Sequence, residues 1–278
     1  MVHSINLIDK SKSGVGYEIS RFPDGEVKIT LGEINHKDEY FVLCRICNAE
    51  DLFILVQIAD ILNRHCVVWS LRISYLMSMR MDRVMTFNDP FNLKIVTDII
   101  NSLGASEVSV FHPHSSATTY LIKNYIQCVD WHPNLDEFSS VRWQVCFPDE
   151  GAYKRYTDKY DLANEPLVCE KVRDASTGKI NNVKVKNPED YANKPIMVVD
   201  DLCDAGGTFC GVADAIRSID KDAYLGISVI HMVNQNGIKN LSSVYDEVFF
   251  TNTYRDWRNL PMKCKMFDVF KEAKKDNG

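Results

Sequence analysis

Long apolar runs are what this 278-residue sequence most plainly lacks. No stretch approaches the roughly 20 apolar residues that a membrane-spanning helix needs, so no membrane partner is expected. A surplus of positive charge is also missing. The 32 Lys and Arg against 38 Asp and Glu leave a formal charge of −6, which argues against a general nucleic-acid binder. Phosphate ligands stay open, because a few cations or backbone N–H groups suffice to hold one. Nor is there an even, regularly spaced set of cysteines. The nine are scattered, and most stand inside apolar runs, as reduced core thiols of a cytoplasmic protein do. Cys44 and Cys47 form a C-x-x-C, but within the strand-like run YFVLCRIC. Zinc would need a second Cys or His pair and redox chemistry a helix N-terminus, so within this strand-like run they read as core thiols. The first residues, MVHSINLIDKSKSG, have no continuous apolar segment of the signal-peptide kind.

What remains is the mix of an ordinary globular protein, 45% apolar and 25% charged, long enough for two modest domains. Short apolar runs alternate with helix-period stretches. Strands are expected at 27–31, 40–44, 66–73, 108–111, 144–147, 167–171, 196–199, 225–231 and 247–251. Helices are expected at 50–63, 91–103, 117–126, 150–160, 207–219 and 267–274. This alternation predicts an α/β fold with mainly parallel sheets flanked by helices, whose ligands sit at the carboxyl ends of strands. A polar segment at 131–139, with Pro133 and Asn134, predicts a junction. The expected domains are 1–133 and 134–260, with 261–278 a C-terminal helix that returns to the first. Residues 181–193 are polar without an apolar stripe and read as a mobile loop between two strands.

The most informative stretch is IMVVDDLCDAGGTF, from Ile196 to Phe209. An apolar strand ends in two carboxylates, Asp200 and Asp201. A loop from Asp204 through Ala205, Gly206, Gly207 and Thr208 then enters a helix. The glycines allow positive φ and close approach of the backbone to a ligand. The free N–H groups at the helix start suit a phosphate, and Thr208 adds a hydroxyl. Paired carboxylates suit vicinal sugar hydroxyls, which are donors in need of acceptors.

This stretch resembles the phosphoribosyl-pyrophosphate signature of type I phosphoribosyltransferases and ribose-phosphate pyrophosphokinases. Further segments, in the family's order, favour the pyrophosphokinases. Arg21-Phe-Pro-Asp-Gly-Glu26 is similar to their adenine-binding hairpin, with Phe22 stacking on the base and Asp24 and Glu26 accepting from its amine. Arg80-Met-Asp-Arg83 resembles their Arg-Gln-Asp-Arg segment, which implies that Arg80, Asp82 and Arg83 serve ATP; Met81 replaces the usual Gln. His114 matches a histidine linked to ATP and metal, whereas His112 stands where Asp is usual. Phe147-Pro-Asp-Glu-Gly151 resembles a Pro-Asp-x-Gly loop, with Asp149 as a metal-site acid. Glu170-Lys-Val-Arg173 is similar to the start of the catalytic loop, with Lys171 and Arg173 as its cations.

The resemblance implies two phosphoribosyltransferase-like domains in a homo-oligomer. It also implies transfer of diphosphate from Mg²⁺-ATP to the anomeric hydroxyl of a phosphorylated ribose bound at 200–208. A phosphoribosyltransferase acting on a base would need neither Phe22, Asp24 and Glu26 nor the two-domain layout. An inactive regulatory homologue would have no need to retain Lys171, Arg173 and both acids. Ala205 replaces the family's usual Thr. The loss of that hydroxyl leaves space beside the 5-phosphate, so ADP-ribose stands beside ribose 5-phosphate as an expected acceptor.

Overall fold

A computed structural model describes residues 1–127, 142–160, 162, 164–173 and 180–272. The predicted junction at 131–139 lies outside the described residues, as do the Arg173 side chain and 174–179. The chain divides into two compact units, Met1–Asp130 and Trp131–Gly278. Among the described residues no helix is long and apolar enough to cross a membrane.

The first unit holds β1 (Val2–Asn6), β2 (Tyr17–Arg21), β3 (Val27–Leu31), β4 (Glu39–Ile46) and α1 (Ala49–Arg64). They are followed by β5 (Trp69–Leu76), α2 (Asn92–Ser102), β6 (Glu107–Val110) and α3 (Ala117–Leu121). Its main sheet is parallel, in the order β1-β4-β5-β6. In β4 every second residue, Tyr40, Val42, Cys44 and Ile46, is buried, as the pleat dictates. Helix α1 buries Leu52, Leu55, Ile58, Ala59 and Leu62 along one stripe. Asn48 caps α1 by accepting from the Glu50 and Asp51 N–H groups, and Asp51 Oδ2 accepts from the Cys47 N–H at 2.8 Å. Cys44 of the C-x-x-C is a buried core thiol.

Strands β2 and β3 form a separate antiparallel hairpin. One side chain of α1 ties it down: Gln57 Nε2 donates to Val27 O, and Gln57 Oε1 accepts from the Ile29 N–H. Strands β1 and β2 have too few consecutive apolar residues to register in the sequence. The helix expected at 117–126 stops at Leu121; the Val108 and Ile126 N–H groups instead bond Asn124 O and Val108 O beside β6.

The second unit holds β7 (Gln144–Phe147), α4 (Glu150–Tyr156), β8 (Leu167–Arg173), β9 (Ile180–Val185) and β10 (Ile196–Cys203). After them come α5 (Gly207–Arg217), β11 (Leu225–Met232), α6 (Gln235–Val244), β12 (Glu247–Thr251), β13 (Cys264–Phe267) and α7 (Val269–Glu272). The sheet order is β13-β12-β11-β10-β7-β8-β9, parallel except for β9. Central strand β11 is buried along its whole length, which is why it reads as one apolar run. Val198, Ile227 and Val229 pack with Phe209, Val212 and Ile216 of α5 and with Leu241 of α6.

Two expectations are corrected here. The polar stretch at 181–193 is in part a strand, β9, antiparallel to β8. Val183 and Val185 pack on the core while Lys184 between them is exposed, an alternation too short to stand out against the charges. Residues 261–278 are not one helix. Residues 264–267 extend the second unit's own sheet alongside β12, and among the described residues of this stretch Val269–Glu272 is helical.

Candidate active site

In the second unit the site is built on the end of β10. Asp200 and Asp201 are consecutive, so their side chains leave the strand on opposite faces. Asp201 is 1% exposed and accepts from Arg155 NH1 of α4 at 2.6 Å. This ion pair offsets the cost of holding a charged carboxylate in the core. Asp200 Oδ1 accepts from the Asp201 N–H at 2.9 Å, and among the described residues no cation pairs with it. Burial, with the Asp201 charge beside it, pushes the Asp200 carboxyl up. The two acids that looked equivalent in sequence therefore differ: one is fully buried in an ion pair, the other is half-buried with no cation paired to it among the described residues.

The chain then turns through Asp204, Ala205 and Gly206 into α5. Gly206 has φ +83°, the left-handed conformation that glycine supplies at low cost. Ala205 and Gly207 are exposed, and nothing lies within 4 Å of where a Gly207 Cβ would stand. The first N–H groups of α5 have no partner within the helix and open toward this space.

Helix α6, which the sequence reading did not include, holds the loop in shape. Asn234 Nδ2 donates to Asp204 Oδ1 at 2.9 Å, and Asn240 Nδ2 donates to Ala205 O at 2.9 Å. Gly237 lies so close beneath the loop that any Cβ there would overlap the Asp204 carbonyl oxygen. Asp204 thus faces α6 through at least one of its oxygens. A weak signal for α6 was present: the N-cap type residue Asn234 precedes apolar Ile238, Leu241 and Val244 at three-residue spacing. No signal in the sequence marked Arg155.

Asp149 and Lys171 come together in the same unit. Asp149 caps α4, its Oδ1 accepting from the Gly151 and Ala152 N–H groups at 3.0 Å, while Lys171 Nζ donates to Oδ2 at 3.0 Å. Burial opposes the Asp149 charge, yet the Ala152 N–H and the Lys171 ammonium hold its carboxyl below the usual range. Among the described residues no three His, Cys, Asp or Glu side chains converge to hold a metal ion. Mg²⁺ needs few protein ligands when phosphate and water supply the rest. Half-buried Asp200, a carboxylate with no cation paired to it among the described residues, fits that requirement.

In the first unit, Phe22 stands 51% exposed at the tip of the β2–β3 hairpin. Asp24 Oδ1 accepts from the Glu26 N–H, and Asp24 and Glu26 are both exposed. Arg21 donates to Gly25 O and pairs with Glu50 at the start of α1. Arg83 grips Asp82 with two N–H groups, at 2.8 and 3.1 Å. The Arg83 side chain first, and the Ser115 hydroxyl further, hold the Asp82 carboxyl below its usual range. The segment at 80–83 and the strand-end loop that carries His114 are therefore neighbours within this unit. Arg80 is exposed and His114 half-buried. His112 is buried with φ +45°, so it shapes the loop's backbone.

Comparison with known proteins adds a direction. No protein-family model matches the chain. A ribose-phosphate pyrophosphokinase from Marinomonas sp. is 25% identical over 276 residues, covering 92% of this chain and 85% of the relative. The one from Pasteurella multocida is 26% identical over 246 residues, covering 84% and 78%. Along most of its length the chain is similar, at low identity, to proteins named ribose-phosphate pyrophosphokinase. Their fold is shared as well. The crystal structure of phosphoribosylpyrophosphate synthetase from Mycobacterium smegmatis superposes with a TM-score of 0.81. It is 17% identical and covers 98% of this chain and 96% of that one. Such pyrophosphokinase relatives span both units, so the resemblance is not confined to the loop at 204–208.

Proposed function

We propose that this chain transfers the β,γ-diphosphate of Mg²⁺-ATP to the anomeric hydroxyl of a 5-phosphorylated ribose, releasing AMP. The observation that carries this is the loop at 204–208, a phosphate-sized turn braced by α6, entered from a strand that ends in one anchored and one open carboxylate. The N–H groups of Gly207 and Thr208, with the Thr208 hydroxyl, hold the 5-phosphate. Asp200 accepts from the sugar hydroxyls. The anomeric oxygen forms a bond to the β-phosphorus, the bond from that phosphorus to the α,β-bridging oxygen breaks, and AMP leaves with the electron pair. The hydroxyl proton passes to solvent.

Alignment and charge neutralisation do most of the work in such a transfer. Lys171, held by Asp149, is poised to swing onto the transferred group, with Arg173 two residues on. Phe22, Asp24, Glu26, Arg80, Asp82, Arg83 and His114 bind ATP. Mg²⁺, when bound, would supply charge neutralisation on the phosphate oxygens; the lack, among the described residues, of a paired cation at Asp200 supports it as a protein ligand in addition to His114. Asp149, whose two oxygens already serve α4 and Lys171, acts through Lys171.

Incubation with Mg²⁺-ATP and ribose 5-phosphate, read by chromatography, should yield equal amounts of AMP and diphosphorylated sugar. Release of pyrophosphate from phosphoribosyl pyrophosphate in the presence of a base, without AMP formation from ATP, would place the chain with the phosphoribosyltransferases instead. ATP binding without turnover would mark it as an inactive regulatory homologue.

One observation favours a larger acceptor. Ala205, which stands where the resemblance expects a threonine, is exposed, and nothing lies within 4 Å of a Cβ placed on Gly207. A phosphate that continues into a diphosphate needs that opening and fewer donors. ADP-ribose, with a free anomeric hydroxyl, meets this description. Comparing kcat/KM for ADP-ribose and ribose 5-phosphate in wild type and Ala205→Thr tests it: the substitution should shift preference toward ribose 5-phosphate.

A further inference from the structure

The loop after β12 carries an aromatic and cationic cluster that the transfer step leaves unused. Its base is fixed: Asn252 Nδ2 donates to Asp256 Oδ1 at 2.9 Å and to Asp268 Oδ1 at 3.0 Å. The rings of Tyr254 and Trp257 lie 6.4 Å apart between centroids with their planes only 20° from parallel. The Arg255 guanidinium stands 5.3 Å from the Trp257 ring centroid. Arg255 and Arg258 are exposed, and Tyr254 and Trp257 are half-buried.

The cluster sits beside the phosphate loop. Trp257 Nε1 donates to Met232 O at 3.2 Å. Met232 ends β11, the strand between β10 and β12, so this bond draws the indole back over the end of the neighbouring strand. Strand ends one position apart in a sheet are separated by about 4.8 Å. The two sites also share supports. The Val233 N–H donates to Cys203 O, one residue before the loop. Gly237, which carries the Asp204 carbonyl, would place a Cβ 3.1 Å from Met232 Sδ.

Core packing accounts for Trp257, which lies against the main cluster with Leu260. It does not account for two exposed guanidinium groups and a tyrosine ring parallel to the indole at the ligand end of a parallel sheet. Flat rings offer stacking faces to a base of any sequence, and guanidinium groups match phosphate oxygens in pairs. We propose that Tyr254, Arg255, Trp257 and Arg258 form a subsite for the nucleotide arm of an extended acceptor. The base stacks on the Tyr254 ring, which Trp257 backs, and Arg255 and Arg258 take the diphosphate as it leaves the loop at 204–208. The subsite rests on the reading that the acceptor has a 5-diphosphate arm.

The test is titration calorimetry on the full chain with ADP-ribose and with ribose 5-phosphate, in wild type, Tyr254→Ala, Arg255→Ala and Tyr254→Phe. The ratio of the ADP-ribose affinity to the ribose 5-phosphate affinity should fall about tenfold in each alanine variant, the size expected for loss of one stacking or charge contact. Tyr254→Phe keeps the ring and should keep the ratio, which separates stacking from a general disturbance of the loop. If the ratio is unchanged in both alanine variants, the subsite is wrong while the extended-acceptor reading stands. If wild type has no affinity for ADP-ribose, that reading is lost and the subsite with it.

Discussion

The hairpin tip in the first unit and the loop at 204–208 in the second are both turns that depend on a left-handed glycine, Gly25 at φ +97° and Gly206 at φ +83°. Their surroundings differ completely. Nothing stands within 4 Å of a Cβ placed on Gly25, whereas one on Gly206 would meet Leu241 of α6 at 3.3 Å. The tip is held mainly by local bonds, Phe22 N to Glu26 O, Gly25 N to Phe22 O and the Asp24 carboxylate to the Glu26 N–H, with one exposed tether, Arg21, linking Gly25 O to Glu50 of α1. The phosphate loop is held by a separate helix through Asn234, Gly237 and Asn240. A turn braced from outside keeps its N–H groups aimed before any ligand arrives, so little ordering remains to be done on binding. A self-held turn presents a side chain and leaves its position to the ligand.

The largest effect should come from undoing the brace beneath the acids. Arg155→Met would remove the cation that pairs with buried Asp201, and breaking a buried pair in this way costs about 3 kcal/mol or more. Urea denaturation measures it. Adding Asp201→Asn in the same chain should recover much of the loss. A loss under 1 kcal/mol in the single variant would mean that Asp201 has another partner of equal value.

Next is the brace beneath the loop. Gly237→Ala forces α6 away from Asp204, with an overpacking cost of about 1–3 kcal/mol. Because the displaced backbone is the phosphate loop, KM for the sugar acceptor should rise more than KM for ATP. A variant that loses stability while both KM values stay constant would show that the loop does not need α6 to hold its shape.

Asp200→Asn separates stability from function on the same strand. Burial and the neighbouring Asp201 raise the Asp200 pKa in the folded state. Between its unfolded and folded values the native state binds more protons than the unfolded one, so stability falls as pH rises through that window. The substitution removes this loss. Its melting temperature should exceed that of wild type at pH 7–8 and converge with it near pH 4, about the ordinary aspartate pKa. Sugar binding should fall throughout. A melting difference independent of pH would place the effect elsewhere than in the carboxylate charge.

Much of this layout was legible in the sequence because it depends on short-range rules. The strands at 144–147 and 247–251 stand as expected, since a buried parallel strand is a continuous apolar run between polar turns. The turn at 204–208 was legible from its glycines and the helix after it. What escaped were parts defined by a distant partner. Helix α6 is polar on most of its surface and matters through what Gly237 touches. Arg155 becomes important only when α4 is set against β10. The edge strands β9 and β13 are short and interrupt their apolar residues with a lysine, Lys184 and Lys265, so their pattern is weak until the sheet is present. The difference between Asp200 and Asp201 is likewise a property of the two faces of one strand.

The smallest expected change in stability lies at the other turn, where it sharpens the comparison most. Phe22 is half-exposed and its backbone bonds do not depend on its ring. Phe22→Ala should therefore shift unfolding stability by no more than about 0.5 kcal/mol, the usual range for surface positions. A ring that stacks on adenine contributes about 0.5–1.5 kcal/mol, so KM for ATP should rise roughly two- to twelvefold while KM for the acceptor is constant. Phe22→Tyr, which keeps the face, should restore ATP affinity. The pairing of these measurements is what decides. Lost stability with unchanged KM would make Phe22 a structural residue and the hairpin tip a braced turn after all. Unchanged stability with a raised KM for ATP alone would establish the two turns as different devices: a rigid cradle for a phosphate in one unit, and an exposed ring that gains its position from the base it meets in the other.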